Sequence, residues 1–315
     1  MAVVNGTNGS DFITPIFTSI GVSGTPTSGD DQINAGGGDD FISGGAGNDV
    51  INGEAGIDTV AYSDATFAVN VSLTAGTATG GGGNDSLISI ENAIGSNLSD
   101  SLTGSSGSNA LRGDGGNDTF FGTAGNDTFD GAAGNDDTAN YSAFTTSVTL
   151  SAQGVLNKGA TLGTDTLIGI ERIIGSASSL TDTIDLSGTT APATGTVTNL
   201  TTGSVAVNGS SGVLVVNGTP LSFAISQFEN VLGSNLADSL TGNALANNLS
   251  GGAGNDTFFG TAGNDTLNGG TGTDDTANYS ALSSTVTLSA QGVLNKGSAL
   301  GTDTLIGIER IIGSG

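Results

Sequence analysis

The feature that most restricts this chain is a period of nine. Residues 26–61 divide into four consecutive nonapeptides, PTSGDDQIN, AGGGDDFIS, GGAGNDVIN and GEAGIDTVA. Their sixth position is Asp31, Asp40, Asp49 and Asp58, and their eighth is Ile33, Ile42, Ile51 and Val60. Unbroken runs follow at 95–139 and 233–277, and one isolated copy, GTNGSDFIT, sits at 6–14. The first six positions are rich in Gly, Asn and Asp, which tolerate positive φ and make tight turns. The last three form a short extended segment whose eighth residue points inward. Two units then make one coil of 18 residues with a turn on each side, and stacked coils make two parallel sheets about 4.8 Å per layer. The expected fold is all-β, a parallel β-roll or β-helix solenoid with β-rich spacers.

A longer period overlies the short one. Residues 95–177 closely match 233–315, an offset of 138, so a whole module has been duplicated. The chain divides into an N-terminal segment at 1–25 with its isolated repeat, a block at 26–61, a spacer at 62–94, and a block at 95–139. A double spacer at 140–232, a block at 233–277, and a C-terminal spacer at 278–315 complete it; the last stops where the earlier module continues. The spacers open with period-two alternation, as in Val69-Asn70-Val71-Ser72-Leu73, and close on apolar runs such as LIGIERIIGS. Alternation favours strands, and frequent Gly argues against helices.

Stacking at 18 residues puts like charges in columns: Asp31 on Asp49, Asp40 on Asp58, Asp100 on Asp118, Asn109 on Asp127, and Asp118 on Asp136. In the third block the pairs are Asp238/Asp256, Asn247/Asp265 and Asp256/Asp274. Acids outnumber bases 30 to 5, a formal charge of −25, and self-repulsion opposes compaction unless a cation intervenes. Ca²⁺ suits such columns, because it takes about 6–8 oxygens from carboxylates and carbonyls in flexible geometry. With no His or Cys, nothing selects a transition metal.

GGAGNDVIN, GGAGNDTFF and GGTGTDDTA resemble the RTX, or haemolysin-type, calcium-binding nonapeptide. Spacers with DTANYS and LIGIERIIGS resemble those of large secreted bacterial RTX proteins. The resemblance implies several Ca²⁺ ions, each between neighbouring turns on one side, held by position-six side chains and loop carbonyls. Carried over, the ligands are Asp31, Asp40, Asp49, Asp58, Asp100, Asn109, Asp118, Asp127, Asp136, Asp238, Asn247, Asp256, Asp265 and Asp274. Asn109 and Asn247 supply only neutral oxygens. Leu98, Leu236 and Leu245 replace the fourth-position Gly, and Asp137 and Asp275 add a residue that is expected to end each block. Asp11 has no partner 18 residues on, since position 29 is Gly. Glu91, Glu171, Glu229 and Glu309 recur and are expected to be exposed or locally hydrogen-bonded.

These observations exclude several function classes. Five basic residues do not suit nucleic acid, and no apolar run is long enough for a membrane span. Without His or Cys, Ser–His and Cys–His nucleophile pairs are impossible, so no enzyme is expected. The reading is an extracellular, calcium-folded structural or adhesive protein of surface-layer or matrix type. Its expected partners are calcium, cell-surface polysaccharide or further copies of itself. The alternative is the RTX segment of a secreted protease or lipase. The start, Met1 to Gly6, has no Sec-type signal. The family implies type I secretion, although no C-terminal signal is recognisable.

Overall fold

The computed structural model describes residues 1–151, 154–177, 182–187, 196–200, 204–207, 214–216, 219–221 and 223–315. Parts of the spacer expected at 183–232 therefore lie outside the described residues. No helix occurs among the described residues, and none is available to cross a membrane. Two compact units are present, one of residues 1–140 and 158–170, the other of 141–157 and 171–315.

In the first unit two ladders of short strands carry the core. One stacks Val3–Asn5, Gln32–Asn34, Val50–Asn52 and Gly83–Ile88 in parallel. It then passes through an antiparallel detour, Thr77–Gly80 and Val69–Ser72. Parallel stacking resumes with Ser101–Thr103, Thr119–Phe121 and Thr138–Asn140. The other ladder runs Phe12–Ile13, Phe41–Ile42, Thr59–Ala61, Asn92–Ile94, Ala110–Arg112, Thr128–Asp130 and Thr164–Ile168. The spacer does not interrupt the roll. Its alternating segments contribute strands of the same ladder, with Val69 and Val71 buried and Asn70 exposed.

The second unit repeats the pattern. Thr149–Ser151, Thr183–Asp185, Asn230–Leu232, Asn248–Ala253, Thr266–Thr271 and Thr302–Ile306 stack in parallel. Opposite them lie Thr196–Asn199, Ser239–Thr241, Thr257–Phe259, Thr276–Asn278 and Arg310–Ile312.

The expected register of 18 holds inside the blocks: Gln32 pairs with Val50, and Ser101 with Thr119. At the block end it becomes 19, because Thr119 pairs with Thr138 and Thr257 with Thr276. Position eight is the core. Ile33, Ile42, Ile51, Val60, Leu102, Leu111, Phe120, Phe129, Leu240, Leu249, Phe258 and Leu267 are all buried. Phe120 and Phe129 stack with centroids 5.3 Å apart. Each such side chain contributes about 1.5–3 kcal/mol on burial, and one per nonapeptide makes a thin core.

Candidate calcium site

The position-six side chains are buried inside the turns. Asp31, Asp40, Asp49, Asp58, Asp100, Asp118, Asp127, Asp238, Asp256 and Asp265 are each no more than 3% exposed, and Asn109 and Asn247 are buried with them. One oxygen of each links coil to coil. Asp49 Oδ1 accepts the backbone N–H of Asp31 at 2.8 Å, Asp58 that of Asp40 at 2.9 Å, and Asp118 that of Asp100 at 2.8 Å. Asp127 takes the N–H of Asn109 at 3.0 Å, Asp256 that of Asp238 at 2.7 Å, and Asp265 that of Asn247 at 3.1 Å. A parallel ladder leaves the turn amides without strand partners, and the carboxylate columns satisfy them.

The extra residue moves the column one place. Asp118 N–H donates to Asp137, and Asp256 N–H to Asp275, both at 2.7 Å. Asp136 and Asp274, expected in the column, lie outside it. Asp274 instead forms a half-exposed ion pair with Arg310 at 2.8 Å. The columns also continue into the spacers. Asp85 accepts the Asp49 N–H, Asp165 that of Asp127, and Asp303 that of Asp265. Glutamates serve in the same way: Glu91 accepts the N–H of Asp58, Glu229 that of Asp182, and Glu309 that of Asp275, at 2.8–2.9 Å. Asp11 joins the column through Asp40, whose Oδ1 accepts its N–H at 2.7 Å.

What the second oxygen does depends on position two. At Thr123 and Thr261 only the hydroxyl reaches the aspartate, and Gly125 and Gly263 are left-handed at position four; at the other Ser, Thr and Asn positions the turn closes on itself. Thr7, Thr27 and Ser234 donate their backbone N–H to Asp11, Asp31 and Asp238 at 2.6–2.7 Å. Ser96 does the same for Asp100, and Ser105 and Asn243 for Asn109 and Asn247. These turns need no positive φ at position four, which is why Leu98, Leu236 and Leu245 are tolerated there; Leu98 N–H donates to Ser96 Oγ. In the other class position two is left-handed: Gly36, Gly45, Glu54, Asp114, Ala132, Gly252 and Gly270. Their amides turn away from the carboxylate four or five residues on. Accordingly Asp40, Asp49, Asp58, Asp118, Asp256 and Asp275 keep a buried Oδ2 with no hydrogen-bond donor. Asp137 occupies the corresponding turn of the second block.

Such an oxygen calls for a positive partner. Burial, only partly offset by the amides, pushes Asp49, Asp118 and Asp256 up to about 7 and Asp40 to about 6, with stacked carboxylates adding to the effect. The space around the oxygens suits a cation. A Cβ on Gly272 would lie 2.2 Å from the Gly254 carbonyl oxygen and 2.7 Å from Asp275 Oδ2. On Gly269 it would lie 2.1 Å from the Gly307 carbonyl oxygen and 2.5 Å from the same Oδ2. Glycine keeps these oxygens close together. No group of three or more acidic, His or Cys side chains poised for a metal occurs among the described residues. The other oxygens close to these carboxylates are backbone carbonyls, a donor that Ca²⁺ accepts and softer metals do not.

Two columns end differently. Lys158 and Lys296 are fully buried. Lys158 Nζ contacts Asp165 and lies 3.2 Å from Asp127; Lys296 Nζ contacts Asp303 and lies 3.1 Å from Asp265. Asp127 and Asp265, expected as metal ligands, thus face an ammonium. In the first block the strand register places Gly80 where the lysine stands in the third, and there Asp49 keeps its open oxygen.

The model of the RTX calcium-binding nonapeptide repeat family matches residues 25–60, 94–137 and 237–275. No curated protein matches the chain. The three blocks are RTX calcium-binding nonapeptide repeats, a repeat type that binds calcium.

Proposed function

We propose that calcium enters this chain at the left-handed turns. Its carboxylate ligands are Asp40, Asp49, Asp58, Asp118, Asp256 and Asp275, and Asp137 is included only because its turn in the second block corresponds to that of Asp275 in the third. The observation that carries this is the coincidence of a left-handed position two with a buried, donorless carboxylate oxygen. Bound there, Ca²⁺ supplies the positive charge that the stacked carboxylates lack. Asp31, Asp100, Asn109, Asp238 and Asn247 cap turns, and Asp127 and Asp265 pair with lysine.

In this reading calcium gates folding. A ligand held only by the folded state stabilises it by mass action. Extracellular calcium modules bind at about 10⁻⁴–10⁻³ M, so the chain stays unfolded where calcium is scarce and folds outside the cell. The charge of −25 and the occurrence of RTX repeats in secreted bacterial proteins support an extracellular structural or adhesive role. Far-UV circular dichroism during Ca²⁺ titration of chelator-treated protein, with Mg²⁺ as control, tests the gating. A cooperative gain of β signal with Ca²⁺ alone is expected; a β spectrum indifferent to calcium would refute it.

A further inference from the structure

The two buried lysines are placed for more than charge pairing. In the second unit, Val293–Asn295 and Thr302–Ile306 form an antiparallel hairpin in which Leu294 faces Asp303. Side chains two residues apart share a face, so Lys296 projects with Leu294 and meets the Asp303 carboxylate. The first copy places Lys158 against Asp165 in the same way. Lysine and both carboxylates are shielded from water in each copy.

The Asp303 carboxyl is held by two further donors. Its Oδ2 accepts the Tyr279 hydroxyl at 2.8 Å, and its Oδ1 accepts the Asp265 N–H at 3.2 Å. Donors on both oxygens draw electron density from Cγ and stabilise the oxyanion that nucleophilic attack would create. The second carboxylate, Asp265, touches the attacking nitrogen and is placed to move its protons. A nucleophile fixed against its electrophile has the high effective concentration of an intramolecular reaction. In a dry site the neutral pair, amine and carboxylic acid, avoids the desolvation cost of two ions.

We propose that Lys158–Asp165 and Lys296–Asp303 close into intramolecular amide bonds. A proton passes from the ammonium to the aspartate, leaving a neutral amine and a carboxylic acid. The Nζ lone pair attacks Cγ, and Asp127 or Asp265 accepts the second proton from nitrogen. That proton goes to the departing oxygen, the Cγ–O bond breaks with its electron pair, and water leaves. Ammonium plus carboxylate thus gives amide plus one water, with no co-reactant. Exclusion of water then protects the product. Each link fastens a hairpin at the end of a repeat block independently of calcium. The first spacer is a built-in comparison: Tyr62 donates to Asp85 at 2.8 Å as Tyr279 does to Asp303, but no lysine is present.

The test is the intact mass of the full chain, folded in calcium and then denatured. The mass is expected to fall short of the sequence mass by two waters. Trypsin should fail to cut after Lys158 and Lys296, and the deficits should map to the peptides spanning 113–172 and 297–310 joined to the residues before Lys296. Asp127→Asn is expected to restore one water and cleavage after Lys158 while calcium-dependent circular dichroism persists. If that variant does not fold, Lys158→Met, which has no amine to react, is expected to show a deficit of one water that maps to Lys296 alone. The full sequence mass with cleavage at both lysines, in protein shown to be folded, would leave a buried ion pair only and overturn the proposal. So would a water deficit that maps to any other peptide.

Discussion

Thr27, Ser96 and Ser234 each give a backbone amide and a hydroxyl to the aspartate four residues on. Gly45, Glu54 and Gly252, in the left-handed region at the same position, give neither. One backbone torsion thus separates a capped turn from one whose carboxylate keeps an open oxygen, the turn proposed to take calcium. Asp118→Asn or Asp256→Asn is therefore expected to raise the calcium midpoint several-fold in a dichroism titration. Asp100→Asn or Asp238→Asn should leave that midpoint nearly unchanged and lower stability in saturating calcium by about 1 kcal/mol, measured by urea unfolding. The same oxygens set the pH response. Asp49, Asp118 and Asp256 titrate near 3.8 when unfolded and near 7 in the cation-free fold, so folding without calcium takes up protons. Its penalty starts near pH 4, grows as pH rises, and is complete above about pH 7. Any residual β dichroism of the chelated protein is expected to be greatest at acid pH and to fall across that window, while calcium, which needs the carboxylate, binds more tightly across it.

At the scale of the element, the nonapeptide was legible because its period is fixed by covalent geometry: three extended residues, one turn, and one inward side chain. Ile33, Ile51, Phe120 and Leu267 sit where the spacing placed them. Asp137 and Asp275 were harder to read, because one inserted residue shifts the column while leaving Asp136 and Asp274 in nominal register. The spacer carboxylates escaped for a related reason. Asp85 follows Asp49 by 36 residues, Asp165 follows Asp127 by 38, and Glu91 follows Asp58 by 33, so no single offset finds them. Their local pattern was nevertheless present, since Gly83-Asn84-Asp85-Ser86-Leu87 repeats the end of a nonapeptide. Of the partners of Lys158 and Lys296, Asp165 and Asp303 lie seven residues on, whereas Asp127 and Asp265 come from another coil and leave no mark in the sequence beside them. Turn class gives a direct comparison of elements. Gly254 is left-handed, and a Cβ there would meet the Leu236 carbonyl carbon at 2.5 Å. Gly254→Ala is expected to cost more than about 1–2 kcal/mol, whereas Leu236→Gly should cost about 1 kcal/mol or less; urea denaturation in calcium checks both. Phe258→Ala, emptying a core position, should cost about 3–5 kcal/mol.

For the whole molecule, −25 charges make calcium dependence a matter of site chemistry and not of ionic strength alone. Added KCl screens exposed charges over about 8–10 Å but leaves the buried Oδ2 atoms without a partner. High KCl is therefore expected not to replace calcium in restoring the β dichroism of the chelated protein. At a hundredfold excess over its dissociation constant, each site adds about 2.7 kcal/mol, so melting temperature should climb steadily with calcium. The carboxylate columns carry one more property. In every position-six pair within the blocks, the carboxylate oxygen belongs to the later coil and the N–H to the earlier one. The ladder therefore has a sense of direction. A chain delivered from its C-terminal end presents each acceptor before the donor it must meet, and every new coil docks onto a surface already prepared.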